Sequence, residues 1–235
     1  MAATVLQSGV LAATKEHTAT VIFMHGLGDK GHLWQVFGYN QERIIGDIRG
    51  LLPHVKFIFP HAPIQPVTLQ GGMSMPSWFD IFSSDKINGK EDREGMLRAV
   101  NHINELITEE METSKLSSDR IVVAGFSQGA AMALLTGLTS ERKLAGMVAL
   151  SGYLPLRADI FAMATDTNKN TPIFMAHGDS DVVVNYQTGK GSAELLKQHH
   201  YQVDFNTYEE LGHSAFPEEL QDLAKFFWKV LPEQA

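Results

Sequence analysis

The chain has 235 residues and no cysteine, which excludes disulfides, thiolate metal sites and a cysteine nucleophile. Its formal net charge of −8 and its lack of a basic run argue against nucleic-acid binding, because that binding depends on clustered Lys and Arg. Hydrophobic residues make up 44% of the chain and charged residues 20%, which is typical of a globular protein, and we predict a single domain over residues 1–235.

The first 19 residues lack the basic start and the continuous apolar stretch of a signal peptide, which predicts a cytoplasmic location. No apolar run approaches the roughly 18 residues needed to cross a bilayer. We therefore expect any membrane contact to be transient and confined to the surface.

Short β-rich apolar runs alternate with longer segments of helical periodicity. The predicted strands are Val21–Met24, Val55–Phe59, Ile121–Ala124, Met147–Leu150, Ile173–Ala176 and Val203–Tyr208. The predicted helices are Leu33–Leu52, Arg93–Glu112, Gln128–Leu138, Gln187–His199 and Pro217–Val230. This alternation predicts an α/β fold, with a single, mostly parallel sheet and helices on both faces.

Two segments do not fit this alternation. Residues Pro60–Phe82 are rich in Pro, Gly and Met, too broken for a regular element and too apolar for a solvated linker. Residues Ser83–Glu94 are polar and predict an exposed loop that leads into a helix.

The sequence Gly125-Phe126-Ser127-Gln128-Gly129 matches the G-x-S-x-G motif and lies between a predicted strand and a predicted helix. The sharp turn of a nucleophile elbow requires small residues two positions on either side of the serine. The alternative is that Ser127 merely caps a helix. The strand and helix that flank the motif favour a nucleophile.

A nucleophilic serine requires a base and an acid, which follow it in the order Asp or Glu, then His, in the α/β-hydrolase fold. Asp179 and Asp181 follow one predicted strand, and His213 follows the next. Parallel strands bring such loops to the same edge of a sheet. We favour Asp181 as the acid, because Asp179 lies directly after Gly178 and is placed to shape the turn.

Residues Gly26–Gly31 match G-x-G-x-x-G after a predicted strand, which would suit a dinucleotide site. The next strand ends without the acidic residue that such a site needs to hold the ribose. We therefore interpret this segment as an oxyanion loop, with Leu27 N–H as one donor and Gln128 N–H as the other. The histidines show no metal-ligand spacing with carboxylates, and we predict neither a metal nor a cofactor.

The chain resembles the acyl-protein thioesterase and lysophospholipase family, small carboxylesterases of the α/β-hydrolase fold. The resemblance runs from VIFMHGLGDKGHLW through PHAPIQPVTL, MPSWFDI, IVVAGFSQGAAMAL and LSGYLPL to HGDSDVVV and LGHS. It implies Ser127 as nucleophile, Asp181 as acid and His213 as base, with Leu27 and Gln128 at the oxyanion positions.

The resemblance also implies the substrates: S-acylated proteins, from which palmitoyl-type chains are removed, and lysophospholipids. A general short-chain carboxylesterase and a non-catalytic lipid-binding module are the alternatives. We expect a monomer or a weak homodimer. The chain departs from lipidated relatives, because it has Ala2 and Ala3 and no N-terminal cysteine.

The apolar segment before the polar loop is our candidate for the acyl-binding wall, since Met side chains adapt to irregular ligands. For Trp78, packing over the core is an equal alternative. The loop after the acid contains valines where the family commonly has prolines, which affects the shape of the acyl pocket. The predicted substrate-binding residues are Leu69, Met73, Met75, Trp78, Leu154 and Val183.

Overall fold

The computed structural model describes residues 6–29, 48, 50–83 and 89–234. One sheet contains seven strands in the order β1-β3-β2-β6-β7-β8-β9. They are β1 (Ser8–Leu11), β2 (Ala19–Met24), β3 (Val55–Pro60), β6 (Ile121–Phe126), β7 (Gly146–Leu150), β8 (Ile173–Gly178) and β9 (Val203–Tyr208). Strand β1 pairs antiparallel with β3, and every other pair in this sheet is parallel.

Strands β4 (Ile64–Val67) and β5 (Met73–Pro76) form a separate antiparallel hairpin. The described α-helices are α1 (Arg93–Ser114), α2 (Gln128–Thr139), α3 (Ile160–Met163), α4 (Tyr186–Gln198) and α5 (Pro217–Val230). None of the helices in the described part of the chain is long and apolar enough to cross a membrane.

The central strands β2, β6, β7 and β8 are buried at every position, which explains why they read as continuous apolar runs. One face of the sheet packs against α1, α2 and α4, and the other face packs against α5. On α5 the contact is made by residues at helical spacing, such as Leu220, Leu223 and Phe227. The predicted α/β architecture is therefore confirmed.

All six predicted strands are present, and four of the predicted helices agree with α1, α2, α4 and α5 to within two residues at each end. The helix predicted at Leu33–Leu52 falls largely outside the described residues. The prediction that Pro60–Phe82 holds no regular element is wrong, because β4 and β5 lie within it. Two further elements, β1 and α3, have four residues each and were not predicted.

Candidate active site

Ser127 lies in the tight turn between β6 and α2, at the carboxyl edge of the parallel sheet. Its backbone has φ 55° and ψ −116°, a strained conformation that non-glycine residues rarely adopt. A Cβ at Gly125 would overlap the backbone of Gly129, and a Cβ at Gly129 would overlap the carbonyl of Met24. Both glycines are therefore required for the sharp strand-to-helix turn that presents Ser127.

The side chains of Ser127, His213 and Asp181 form a continuous chain of hydrogen bonds. His213 Nε2 lies 2.9 Å from Ser127 Oγ, so the hydroxyl donates to the ring. His213 Nδ1 lies 2.7 Å from Asp181 Oδ2 and donates to it. This geometry allows the imidazole to accept the serine proton while the carboxylate stabilises the resulting imidazolium.

The Asp181 carboxylate is fully buried and is held by protein donors on both oxygens. Oδ1 accepts from the backbone N–H groups of Val183, at 2.9 Å, and Val184, at 3.0 Å. Oδ2 is also 3.3 Å from His177 Nε2. Burial alone would raise the pKa of Asp181, but hydrogen bonds from His177 and His213 and the charge of His213 hold that pKa well below its ordinary value.

Asp179 occupies a different position from Asp181 and supports the loop that carries the histidine. Its Oδ1 accepts the backbone N–H of Glu210 at 2.8 Å and the Ser180 hydroxyl at 3.0 Å. His213 thus contacts Asp181, whereas Asp179 joins the loop after β8 to the loop after β9.

The backbone N–H groups of Leu27 and Gln128, which the sequence predicts as oxyanion donors, have no backbone acceptor among the described residues. Gln128 begins α2, so its N–H belongs to the positive end of the helix dipole. The Leu27 loop approaches the nucleophile closely, since a Cβ at Gly26 would lie 3.4 Å from Ser127 Cβ.

The predicted substrate-binding residues fall into two groups. Leu69 on the hairpin is 42% exposed, Met73 is 63% exposed and Val183 is 60% exposed. Met75 is partly buried beside the oxyanion loop, with its sulfur 3.7 Å from where a Cβ at Gly28 would lie. By contrast, Trp78 and Leu154 belong to the core, at 2% and 0% exposure, and present no open surface to a substrate in the described structure.

Two histidines that contribute to the site were not predicted to do so. His177 donates to the Val184 carbonyl at 2.8 Å and so braces the turn around Asp181. His25 Nδ1 donates to the Gly26 carbonyl at 2.7 Å, in the loop that holds Leu27. Each stands directly before a glycine at the end of a strand, and this His-Gly dipeptide is the signal that could have identified them.

Among the described residues no group of His, Asp and Glu is arranged to hold a metal ion. The side chains of Ser127, His213 and Asp181 are arranged as a nucleophile, a base and an acid would need to be.

Comparisons with known proteins agree with this architecture. Residues 7–231 match the family described as Phospholipase/Carboxylesterase. Acyl-protein thioesterase 1 of Mycosarcoma maydis is 46% identical over 228 residues, which cover 92% of this chain and 93% of the relative. Acyl-protein thioesterase 1 homolog 1 of Dictyostelium discoideum is 46% identical over 219 residues, 92% of each chain.

Solved structures of other proteins share the fold of this chain. Acyl-protein thioesterase 2 of Zea mays superimposes with a TM-score of 0.81 at 29% identity, covering 96% of this chain and 99% of that one. SOBER1 of Arabidopsis thaliana has a TM-score of 0.82 at 29% identity, covering 91% and 99%. The chain is therefore a hydrolase with the α/β-hydrolase fold, and it belongs to the phospholipase/carboxylesterase family.

Proposed function

We propose that the protein is a serine hydrolase that removes S-acyl chains of palmitoyl type from protein cysteines and also deacylates lysophospholipids. The observation that carries this proposal is the hydrogen-bonded chain from Ser127 through His213 to Asp181 on a strained elbow. The substrate class is supported by the names of the relatives, which are acyl-protein thioesterases at 46% identity.

The reaction would proceed in two steps through an acyl-enzyme. His213 accepts the Ser127 proton as the hydroxyl attacks the acyl carbonyl, and then gives that proton to the departing thiol or alcohol. The N–H groups of Leu27 and Gln128 stabilise the oxyanion, by about 3 kcal/mol per donor in measured precedents. Water then attacks the acyl-enzyme while His213 accepts its proton, and His213 returns that proton to Ser127 Oγ as the fatty acid is released.

The hairpin β4–β5 is the proposed binding surface for the acyl chain. Gly28 N donates to the Pro76 carbonyl at 2.9 Å, so the end of β5 lies against the oxyanion loop. Leu69 and Met73 add exposed apolar surface on the same hairpin. Each CH₂ group buried there would contribute about 0.8 kcal/mol, which favours long chains over short ones.

The direct test is competitive turnover of an S-palmitoylated peptide, a lysophospholipid and an acetyl ester by the wild-type protein. We expect the palmitoyl thioester to have the highest kcat/KM. A preference for the acetyl ester would contradict the proposal and support a general short-chain carboxylesterase.

The nucleophile is tested with the variant Ser127→Ala. Because only a hydroxyl is removed, we expect a folded protein that loses both hydrolysis and labelling by a fluorophosphonate probe. Residual turnover within about tenfold of wild type would exclude the triad mechanism, since triad loss costs about 10⁶ in the protease precedent. Absence of labelling in the wild type would favour a lipid-binding module.

A further inference from the structure

The orientation of one peptide group, between Gly26 and Leu27, decides whether the first oxyanion donor is available. In a trans peptide the C=O and N–H groups point in opposite directions. If this peptide turned over, the Gly26 carbonyl would face the site and repel an oxyanion in place of the Leu27 N–H that would stabilise it. Some contact must therefore hold the Gly26 carbonyl away from the substrate.

Two donors hold this carbonyl. His25 Nδ1 donates to Gly26 O at 2.7 Å, and the backbone N–H of Asp29 donates to the same oxygen at 3.3 Å. With the carbonyl fixed on that side, the Leu27 N–H is directed to the opposite side of the peptide.

The imidazole of His25 is itself fixed in position and in tautomer. Its Nε2 accepts the backbone N–H of Ala62 at 3.0 Å, which leaves the proton on Nδ1 for Gly26. The ring is fully buried, and burial lowers the pKa of His25 to about 4. The ring is therefore neutral at neutral pH, where it acts as a donor at one nitrogen and an acceptor at the other.

Trp78 holds the preceding peptide and links it to the second donor. Its indole Nε1 donates to the His25 carbonyl at 2.8 Å, and its backbone N–H donates to Gln128 Oε1 at 2.9 Å. Gln128 Nε2 donates in turn to the Phe79 carbonyl at 2.8 Å. The same short segment thus contacts both Gln128 and His25, the residue before the Gly26–Leu27 peptide.

We propose that His25 and Trp78 are positioning residues that hold the Gly26–Leu27 peptide with its N–H directed at the substrate oxyanion. This inference rests on the proposed function, because it takes Leu27 and Gln128 as the oxyanion donors. Simple core packing would require only the volume of the two rings. Packing alone does not account for the observed hydrogen bonds, in which both rings donate to backbone carbonyls of the oxyanion loop.

The first experiment compares His25→Leu with His25→Asn, two side chains of similar size. Leu has no donor, whereas the Asn amide can donate to Gly26 O from a position close to that of Nδ1. With a p-nitrophenyl ester we expect His25→Leu to lower kcat by about 10²-fold with little change in KM, as for loss of one oxyanion donor. His25→Asn should recover most of that loss, and the pH profile should keep its shape because the triad is unchanged.

The second experiment removes the indole donor by Trp78→Phe, which also reduces the ring volume, with benzothienylalanine at position 78 as the isosteric comparison and Trp228→Phe as the control for loss of an indole N–H elsewhere. Trp228 Nε1 also donates to a backbone carbonyl, that of Leu51 at 3.1 Å, but Trp228 lies on α5. We expect Trp78→Phe to weaken binding of a trifluoromethyl ketone, which forms an oxyanion with Ser127, roughly tenfold. Affinity for the fatty-acid product and the properties of Trp228→Phe should stay unchanged.

Unchanged kcat and ketone affinity in folded His25→Leu and Trp78→Phe would overturn the inference, as would equal losses in His25→Leu and His25→Asn. If either variant fails to fold, benzothienylalanine at position 78, which replaces only the indole N–H with sulfur, tests the inference through the bond from Trp78 to His25 O. Ser127→Ala assayed in parallel separates the two proposals. Its full activity would overturn the proposed function, whereas its inactivity beside normal His25→Leu and Trp78→Phe variants would overturn this inference alone.

Discussion

Two carboxylates separated by one residue, Asp179 and Asp181, have different roles because the backbone turns between them. The sequence favours Asp181 as the acid but leaves Asp179 open. Only the folded loop shows that Asp181 points inward to His213, whereas Asp179 accepts from the backbone of Glu210. The direction of a side chain in a turn depends on backbone dihedrals that residue types alone do not determine.

The different roles of the two carboxylates lead to a prediction about their amide variants. Asp181→Asn should lower kcat by about 10⁴-fold, as in the protease precedent, because the amide favours the wrong histidine tautomer. Asp179→Asn retains an oxygen that can accept from Glu210, so its effect on kcat should be much smaller. Steady-state kinetics on one ester measures both, and a larger effect from Asp179→Asn would show that the acid is misassigned.

At the scale of elements, the hairpin β4–β5 shows the limit of pattern recognition. Each strand has four residues, and Pro66 and Pro76 stand where a central strand would not tolerate proline. Gly71 and Gly72 have φ 66° and 81°, the left-handed conformation that lets the chain turn between the strands. Short strands with proline and exposed apolar residues carry no regular alternation, so the sequence pattern predicts an irregular segment here.

This hairpin leads to a prediction about chain length. The double variant Leu69→Asp with Met73→Asp places two charges on exposed positions, so the fold should persist. Activity on long acyl esters should fall far more than activity on acetyl esters, because only long chains would reach the altered wall. The measurement is kcat/KM against acyl length, together with thermal stability. Equal losses on all chain lengths, with normal stability, would show that the hairpin does not bind the acyl chain.

For the whole molecule, the sequence predicts the strands and helices that pack into the core, and it misses the roles of residues whose contacts join distant segments of the chain. The strands β2, β6, β7 and β8 are continuous apolar runs because both faces are covered, and the convergence of Ser127, Asp181 and His213 follows from parallel topology. The placement of Trp78 and the role of His25 depend on hydrogen bonds between segments far apart in sequence, which no local pattern encodes.

Glu219 is a buried carboxyl group whose ionisation affects the stability of the fold. It lies in the first turn of α5, shortly after His213, and is fully buried. Its Oε2 accepts the Phe216 N–H at 3.4 Å, while Oε1 has no hydrogen-bond partner among the described residues. Burial raises the pKa of Glu219 to about 8, with the Phe216 hydrogen bond opposing this change. The carboxyl group is therefore protonated in the folded protein at neutral pH.

This raised pKa predicts how the free energy of unfolding depends on pH. Between an unfolded pKa near 4.5 and a folded pKa of about 8, the folded state retains a proton that the unfolded state has released. Wild-type stability from this group should therefore fall as pH rises through that range and level off above it. Glu219→Gln keeps a neutral side chain at every pH, so its stability relative to wild type should increase from pH 5 to pH 9.

Melting temperatures measure the difference in stability between Glu219→Gln and wild type, at about 2–4 °C per kcal/mol for a chain of this size. The exposed neighbour Glu218→Gln is the control and should show no such trend. A constant difference between Glu219→Gln and wild type across this pH range would mean that Glu219 is already ionised in the folded protein.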